Sequence, residues 1–191
     1  PHLHLPLQSG ADSVLRRMAR RCKTEEFAAI VQQLRDRVAH FNITTDIIVG
    51  FPGETEADFE KLLKMVRELE FDNSFCFIFS PRPGTPAANL RDDTPHAVKL
   101  KRLQTLLAMI EGQANQISQK MLGGTERVLI EGLAKDGVNL QGRAENNRVI
   151  HFTAPDQDID SLIGQMVDIQ ITEVLNYTLR GELVEAHANW S

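Results

Sequence analysis

Cysteine is scarce in this chain: among 191 residues there are only Cys22 and Cys76, far apart in sequence. Two isolated thiols supply neither a disulfide framework nor a cysteine-based metal knuckle, and the expected setting is reducing and cytoplasmic. Long apolar runs are missing as well; none approaches the roughly 20 residues needed to cross a bilayer as a helix. No basic segment followed by an apolar one opens the chain, so no secretory signal is expected. An excess of positive charge is also absent. With 21 Lys and Arg against 26 Asp and Glu, the net charge is −5, which argues against a protein that coats nucleic acid nonspecifically. The first residue is Pro1 rather than Met and a hydrophobic segment follows at once, so the sequence reads as part of a longer protein.

What is present alternates between two periodicities. Leu3 to Leu7 predicts a short strand ending in the turn Gln8-Ser9-Gly10. Ser9, with Asp12 three residues on, forms a potential capping box for a helix carrying Val14, Leu15 and Met18. Thr24 is placed to cap a longer helix whose stripe is Phe27, Ile30, Val31, Leu34 and Val38. Ile43 to Val49, β-branched and bounded by Gly50, has the composition of a strand buried on both faces of a parallel sheet. The pattern repeats with a helix opened by Thr55 and Asp58 (stripe Phe59, Leu62, Leu63, Val66, Leu69) and a strand from Ser74 to Phe79. After the loop of residues 80–86, Thr94 and Pro95 start a long helix with stripe Val98, Leu103, Leu106, Leu107, Ile110, Ile117 and Met121. Gly123-Gly124 ends it.

Beyond that glycine pair, short β-rich segments take over: 128–130, Leu140, 149–150, 167–174 and 179–184, separated by Gly, Asn and Asp. Five short strands in so little chain suggest a small closed or nearly closed OB-like barrel. The fold class is therefore α/β: three β-α units of a partial β/α barrel over residues 1–123, followed by a small all-β barrel over residues 124–191. Three parallel strands cannot close a barrel, and a bare strand edge is a liability, so further strands are expected upstream of Pro1.

Reactive residues in such folds gather at the carboxyl ends of strands. Three loops qualify: Gln8-Ser9-Gly10, Gly50-Phe51-Pro52-Gly53-Glu54-Thr55, and residues 80–86. Each carries glycine and polar groups and they should converge on one mouth, although any one of them alone could be an ordinary strand-to-helix turn.

Their sequences, taken together, carry a resemblance. His4-Leu5-Pro6-Leu7-Gln8-Ser9-Gly10, Thr45 through Thr55, and Ser80-Pro81-Arg82-Pro83-Gly84-Thr85-Pro86-Ala87 resemble the second half of a radical-SAM methylthiotransferase core. Gly142 through Ile150 and Leu179-Arg180-Gly181-Glu182 are similar to the TRAM domain, a small RNA-binding β-barrel. Within the family, the Arg-Pro-Gly-Thr-Pro loop and the Glu-Asn-Asn-Arg-Val turn look most like members that add a methylthio group to C2 of N6-isopentenyladenosine beside the tRNA anticodon. Members acting on threonylcarbamoyladenosine or on a ribosomal protein are close relatives. The resemblance implies S-adenosylmethionine and two [4Fe-4S] clusters as cofactors and tRNA as partner, with the full-length protein a monomer and not bound to membrane. It also implies cluster-binding cysteines upstream, since neither Cys22 nor Cys76 matches a family ligand. No catalytic residue and no metal ligand are expected within this chain, which should be inactive alone. The chemistry so implied is reductive cleavage of S-adenosylmethionine, hydrogen abstraction from C2 and insertion of methylated sulfur.

By the same resemblance, the segment Asp46 to Glu54 is similar to the strand motif that packs on the adenosyl group, with Ile48 and Gly50 as an apolar floor. Gln8 and Ser9 are candidates to bond ribose or the amino-acid end, and Arg20 to pair with the methionine carboxylate. Arg20 equally suits a solvated face, because Arg16, Arg17 and Arg21 surround it. Asp46, a carboxylate in an apolar strand, either points into the cofactor cavity or holds a neighbouring loop. His2 and His4 share a face of the first strand; with no third ligand evident, a lumen-facing polar pair fits them better than a metal site. For RNA, the candidates are Lys135, Arg143, Asn146, Asn147 and Arg148 on one rim of the barrel. Residues 124–191 hold five Lys or Arg against eleven Asp or Glu, so either that rim acts locally, the reading favoured here, or the module is chiefly structural and tRNA is held by an upstream domain. Two rival classes are a non-catalytic OB-like RNA-binding module and a β/α enzyme of other chemistry, with the Gly50–Thr55 loop as a phosphate cradle.

Overall fold

The alternation of β-branched runs with helical stripes builds elements close to those expected, and the computed structural model describes residues 1–154 and 159–186 of them. In chain order they are β1 (His2–His4), α1 (Asp12–Arg17), α2 (Thr24–Arg37), β2 (Asn42–Thr44), β3 (Asp46–Val49), α3 (Glu56–Leu69) and β4 (Phe75–Ile78). A 3-10 turn (Pro86–Asn89) leads to α4 (His96–Met121). The β-rich part follows with β5 (Thr125–Leu133), β6 (Leu140–Ala144), β7 (Val149–Thr153), α5 (Ile159–Leu162), β8 (Met166–Val174) and β9 (Leu179–Ala186). The chain divides inside α4 into one compact unit of Leu3–Ala114 and a second of the residues from Asn115 on, together with Pro1 and His2.

In the first unit the expected single strand over 43–49 is broken at Thr45. β2 pairs with β1, whereas β3 pairs in parallel with β4 in the register Asp46–Phe75 to Val49–Ile78. Thr45 is fully buried, and its hydroxyl takes the place of ladder partners: it donates to Leu5 O at 2.7 Å and accepts from Leu7 N–H at 2.8 Å. Past this break Gln8 bridges Ile47 in parallel, so the chain segment at Gln8, β3 and β4 lie side by side. Alternation along β3 separates the two faces. Ile47 and Val49 are buried among α3 residues Phe59, Leu62 and Val66, with Phe27, Val31, Leu106 and Ile110 in the same core. The other face is open, carrying Asp46 and Ile48, and beside them Phe75 and Phe77 are 62% and 52% exposed. The strand is therefore covered on one face rather than both.

Among α1, α2 and α3, capping is as expected at α3. Thr55 Oγ1 accepts from Asp58 N–H at 3.1 Å and Asp58 returns the bond to Thr55 N–H. Ser9 does not cap α1; Ala11 occupies the cap position with no side-chain bond, and the Asp12 carboxylate instead accepts from Thr24 N–H at 2.8 Å. Lys23, not Thr24, caps α2, with Glu26 accepting from its N–H. In α2 Ile30 is exposed, and in α4 so are Val98 and Leu107, although Leu106 and Ile110 are buried as the stripe requires.

The second unit is a closed barrel of order β5-β6-β7-β9-β8, the Greek-key arrangement of OB-like modules. Every pairing is antiparallel except β7 with β9. Its interior is Val128, Ile130, Leu140, Ile150, Phe152, Val167, Ile169, Ile171 and Leu179, with Met121 from the end of α4 in the same cluster. Gly123 and Gly124 clasp Ile171 through two backbone bonds of 2.8 Å.

Candidate functional site

At the carboxyl ends of the parallel strands a cavity of about 610 Å3 opens, within the roughly 300–1,000 Å3 common for small-ligand sites. Its walls come from the three expected loops: Gln8 from the first, Phe51 from the second, and Ser80, Arg82, Thr85, Pro86 and Ala87 from the third. Asp46, Ile48, Phe77, Ile78 and Phe79 add the strand ends, and Arg17, Met18, Ala19 and Arg20 the turn after α1. The floor is apolar and well packed, with the Phe51 and Phe79 rings edge to face at 4.8 Å.

Four of the six cofactor candidates, Gln8, Arg20, Asp46 and Ile48, come together in this cavity. Asp46 is held from below by His4, whose Nε2 stands 3.3 Å from Asp46 Oδ2 while its Nδ1 is 3.0 Å from Thr44 Oγ1. Thus one of the two strand histidines serves the cavity wall through a carboxylate. The other two candidates lie elsewhere. Ser9 is buried, its hydroxyl accepting from Ala11 N–H at 3.4 Å. Gly50 lies outside the cavity wall, and its close approach is to protein: a Cβ there would stand 2.6 Å from Lys99 Cγ, and its φ is +69°.

Gly50 belongs to a charged lock that the sequence reading missed. Its N–H donates to Glu54 Oε2 at 2.8 Å, and the buried Arg102 donates to Glu54 Oε1 at 3.1 Å. Burial pushes the Glu54 carboxyl up, against the opposing pull of Arg102 and the backbone bonds. Arg102 also reaches Glu56 at 3.0 Å and lies over the Phe59 ring at 5.5 Å, while Lys99 pairs with Asp92. With Glu54 occupying the Gly50 amide, that donor of the loop is not free for a phosphate, contrary to the cradle reading. The available signal was two cations, Lys99 and Arg102, one turn apart on the otherwise apolar side of α4.

Cys22 is exposed on the turn between α1 and α2; Cys76 is partly buried in β4, where burial and the nearby Asp46 push its thiol up to about 12. Among the described residues no three His, Cys, Asp or Glu side chains are grouped to hold a metal ion, and no helix is long and apolar enough to cross a membrane.

On the barrel, Arg143 and Asn147 do come together. Arg143 Nη1 donates to Asn147 O and Oδ1, both at 3.2 Å, while its Nε donates to Glu131 at 2.8 Å. That bond, ahead of opposing desolvation, holds the Glu131 carboxyl below its ordinary value. Asn147 has φ +70°, as its turn requires. Lys135 is exposed on the β5–β6 turn. Asn146 instead bonds the Met121 sulfur at 3.3 Å, and Arg148 is buried at 5% exposure. The five candidates therefore do not share one exposed rim.

Two family models match the chain: the Radical SAM superfamily over residues 1–66 and the TRAM domain over residues 119–184. The tRNA-2-methylthio-N(6)-dimethylallyladenosine synthase of Polynucleobacter asymbioticus is 75% identical over 186 residues, 97% of this chain and 42% of that protein. The synthase of the same name from Polynucleobacter necessarius is 73% identical over 188 residues, and that of Burkholderia mallei 53% over 191. By these matches the chain is similar to radical-SAM methylthiotransferases. It spans 42% of the length of these relatives. Among solved structures, coproporphyrinogen III oxidase from Escherichia coli, described as a radical SAM enzyme, superposes with TM-score 0.51 at 17% identity. That match covers 93% of this chain and 44% of the oxidase, and it speaks for the fold alone. The Radical SAM match covers the segments that supply Gln8, Arg20, Asp46, Ile48 and Phe51 to the cavity.

Proposed function

We propose that this chain is the C-terminal part of a tRNA methylthiotransferase that modifies C2 of N6-isopentenyladenosine beside the anticodon, and that the 610 Å3 cavity receives S-adenosylmethionine. The observation that carries the reading is the convergence of Gln8, Arg20, Asp46 and Ile48, from separate segments, on one cavity at strand carboxyl ends. On this reading the segment at Gln8, β3 and β4 are adjacent strands of a partial β/α barrel whose other strands lie outside this chain. The working division is residues 1–123 and 124–191.

The donor set suits the cofactor. Arg20 offers a guanidinium to a carboxylate, Gln8 an amide to hydroxyl or amino groups, and Ile48, Phe51 and Phe77 an apolar bed. Asp46, oriented by His4, accepts a hydrogen bond from a ligand hydroxyl or amine. When bound, S-adenosylmethionine and the iron–sulfur clusters supply the radical and sulfur chemistry; this chain binds, orients and screens. Cys22 and Cys76 are two thiols where a [4Fe-4S] cluster takes more, so on this reading the cluster ligands belong to another part of the protein and no step is assigned to them here. In the barrel, the exposed Lys135 and Asn147, with the half-buried Arg143 that bonds Glu131, are the candidate donors to RNA. Asn146 and Arg148 shape the turn from within.

The test is anaerobic turnover by the complete, reconstituted enzyme on isopentenylated tRNA, read by nucleoside mass spectrometry. Gain of one methylthio group on the isopentenyladenosine is expected; product only on threonylcarbamoyladenosine tRNA or a ribosomal protein would replace the substrate. Asp46→Ala should lower 5′-deoxyadenosine formation roughly tenfold or more, as misplacement of a bound reactant does, with little change in melting temperature. A collapse of stability with normal cleavage would make Asp46 structural.

A further inference from the structure

We propose that the RNA backbone is held by an arginine-rich rim on the α/β unit, formed by the turn between α1 and α2, rather than chiefly by the barrel. Residues 16–23 contain five cations and no acid. One of these is structural: Arg17 donates to Gly53 O at 2.7 Å and lies 3.9 Å from Asp58. The other four, Arg16, Arg20, Arg21 and Lys23, are exposed, and among the described residues none is in a salt bridge. The acids nearest in sequence are occupied in part, Asp12 by Thr24 N–H and Glu26 by Lys23 N–H; Asp12 also feels the charges of Lys23 and Arg16 without an ion pair to either, and Glu25 is exposed beside them.

The turn is fixed in shape. Ala19 takes φ +56°, its N–H donates to Arg16 O at 3.0 Å, and Arg20 N–H reaches Leu15 O at 2.9 Å. Its position is what gives the charge a purpose. Arg20 lines both the large cavity and a smaller hollow of about 220 Å3 whose walls include Arg21 and Lys23. Exposed cations on the rim of the cavity proposed for S-adenosylmethionine, beside which the reacting base must come, are where the flanking phosphates of a splayed-out nucleotide would pass. The barrel offers less. It has five cations against eleven acids over residues 124–191. Arg143 and Arg180 are each bonded to a glutamate at 2.8 Å, and Arg148 is buried.

This assignment rests on the RNA-modifying reading, and the test separates the two. In the complete enzyme, Arg16→Gln/Arg21→Gln/Lys23→Gln leaves Arg20 in place for the cofactor. Binding of tRNA and of a generic RNA hairpin is followed by fluorescence anisotropy between about 50 and 200 mM salt. Loss of three phosphate contacts should lower the salt slope by about two units or more and weaken binding at least roughly tenfold at low salt. Arg16→Lys/Arg21→Lys, which keeps the charge, should retain the slope. Melting temperature and S-adenosylmethionine affinity by calorimetry should stay unchanged. Affinity and slope equal to the unaltered enzyme would overturn the rim, as would loss of S-adenosylmethionine binding in step with RNA. Rim-dependent hairpin binding without any tRNA product would keep the rim and sink the substrate assignment instead.

Discussion

At the scale of single residues, Asp58 shows how one carboxylate ties segments together. Its oxygens accept from Ser13 Oγ at 2.7 Å and from Thr55 Oγ1 at 2.9 Å, joining α1 to the start of α3. Burial works to raise its pKa, but the bonds from Ser13 and Thr55 and the charge of Arg17 outweigh it and hold the group below its ordinary 3.8. A carboxyl lowered in the folded state stabilises the fold above the unfolded value and ceases to as pH falls through the folded value. Asp58→Asn should therefore cost about 1 kcal/mol at neutral pH, comparable to a lost cap. The variant's disadvantage should shrink as pH falls below about 3.8. Denaturant melts at several pH values check this; a disadvantage independent of pH would assign the loss to geometry alone.

At the scale of elements, the loop between β3 and α3 stands on the Glu54–Arg102 pair. Breaking a buried pair by removing one partner typically costs about 3 kcal/mol, whereas replacing both by apolar groups can be nearly neutral. Glu54→Gln should thus be destabilised by about that amount, and Glu54→Leu/Arg102→Met should recover most of it. A double-mutant cycle by chemical denaturation measures the coupling. That lock also marks the limit of what could be read from the string. The stripe of α3 was legible because period-3.6 burial is written in consecutive residues, and the five barrel strands because turn residues punctuate them. The three loops were legible as one mouth because strand carboxyl ends converge in parallel sheets. The pairing of Glu54 with Arg102 joins residues 48 positions apart, and no local pattern encodes it. The break at Thr45 was hidden for a related reason: a β-branched hydroxyl is an ordinary strand residue until its neighbours show that it bonds Leu5 and Leu7. Likewise Gly10, in a turn that looked ligand-facing, is small because a Cβ would meet the Leu62 backbone at 2.4 Å.

At the scale of the whole molecule, the periodicity switches at Gly123, while the compact units part between Ala114 and Asn115, inside α4. The last turns of α4 carry Met121 in the barrel core, and Gly123 donates to Ile171. A polypeptide of residues 115–191 should fold alone with one cooperative transition. One of residues 124–191 should be less stable by about 2 kcal/mol, the value of one buried methionine side chain. Equal stability in urea would return the boundary to Gly124.

The strand order also sets a timetable. β9 lies between β7 and β8, so the barrel has an open slot until the final strand is made. During synthesis on the ribosome, β5 to β8 emerge with the edges of β7 and β8 unpaired, and only residues 179–186 can seal them. Closure must therefore wait until β9 has emerged, and a stop before Leu179 would release a chain with two adhesive edges. Such a product should be found in aggregates or degraded, not as a weaker version of the same protein.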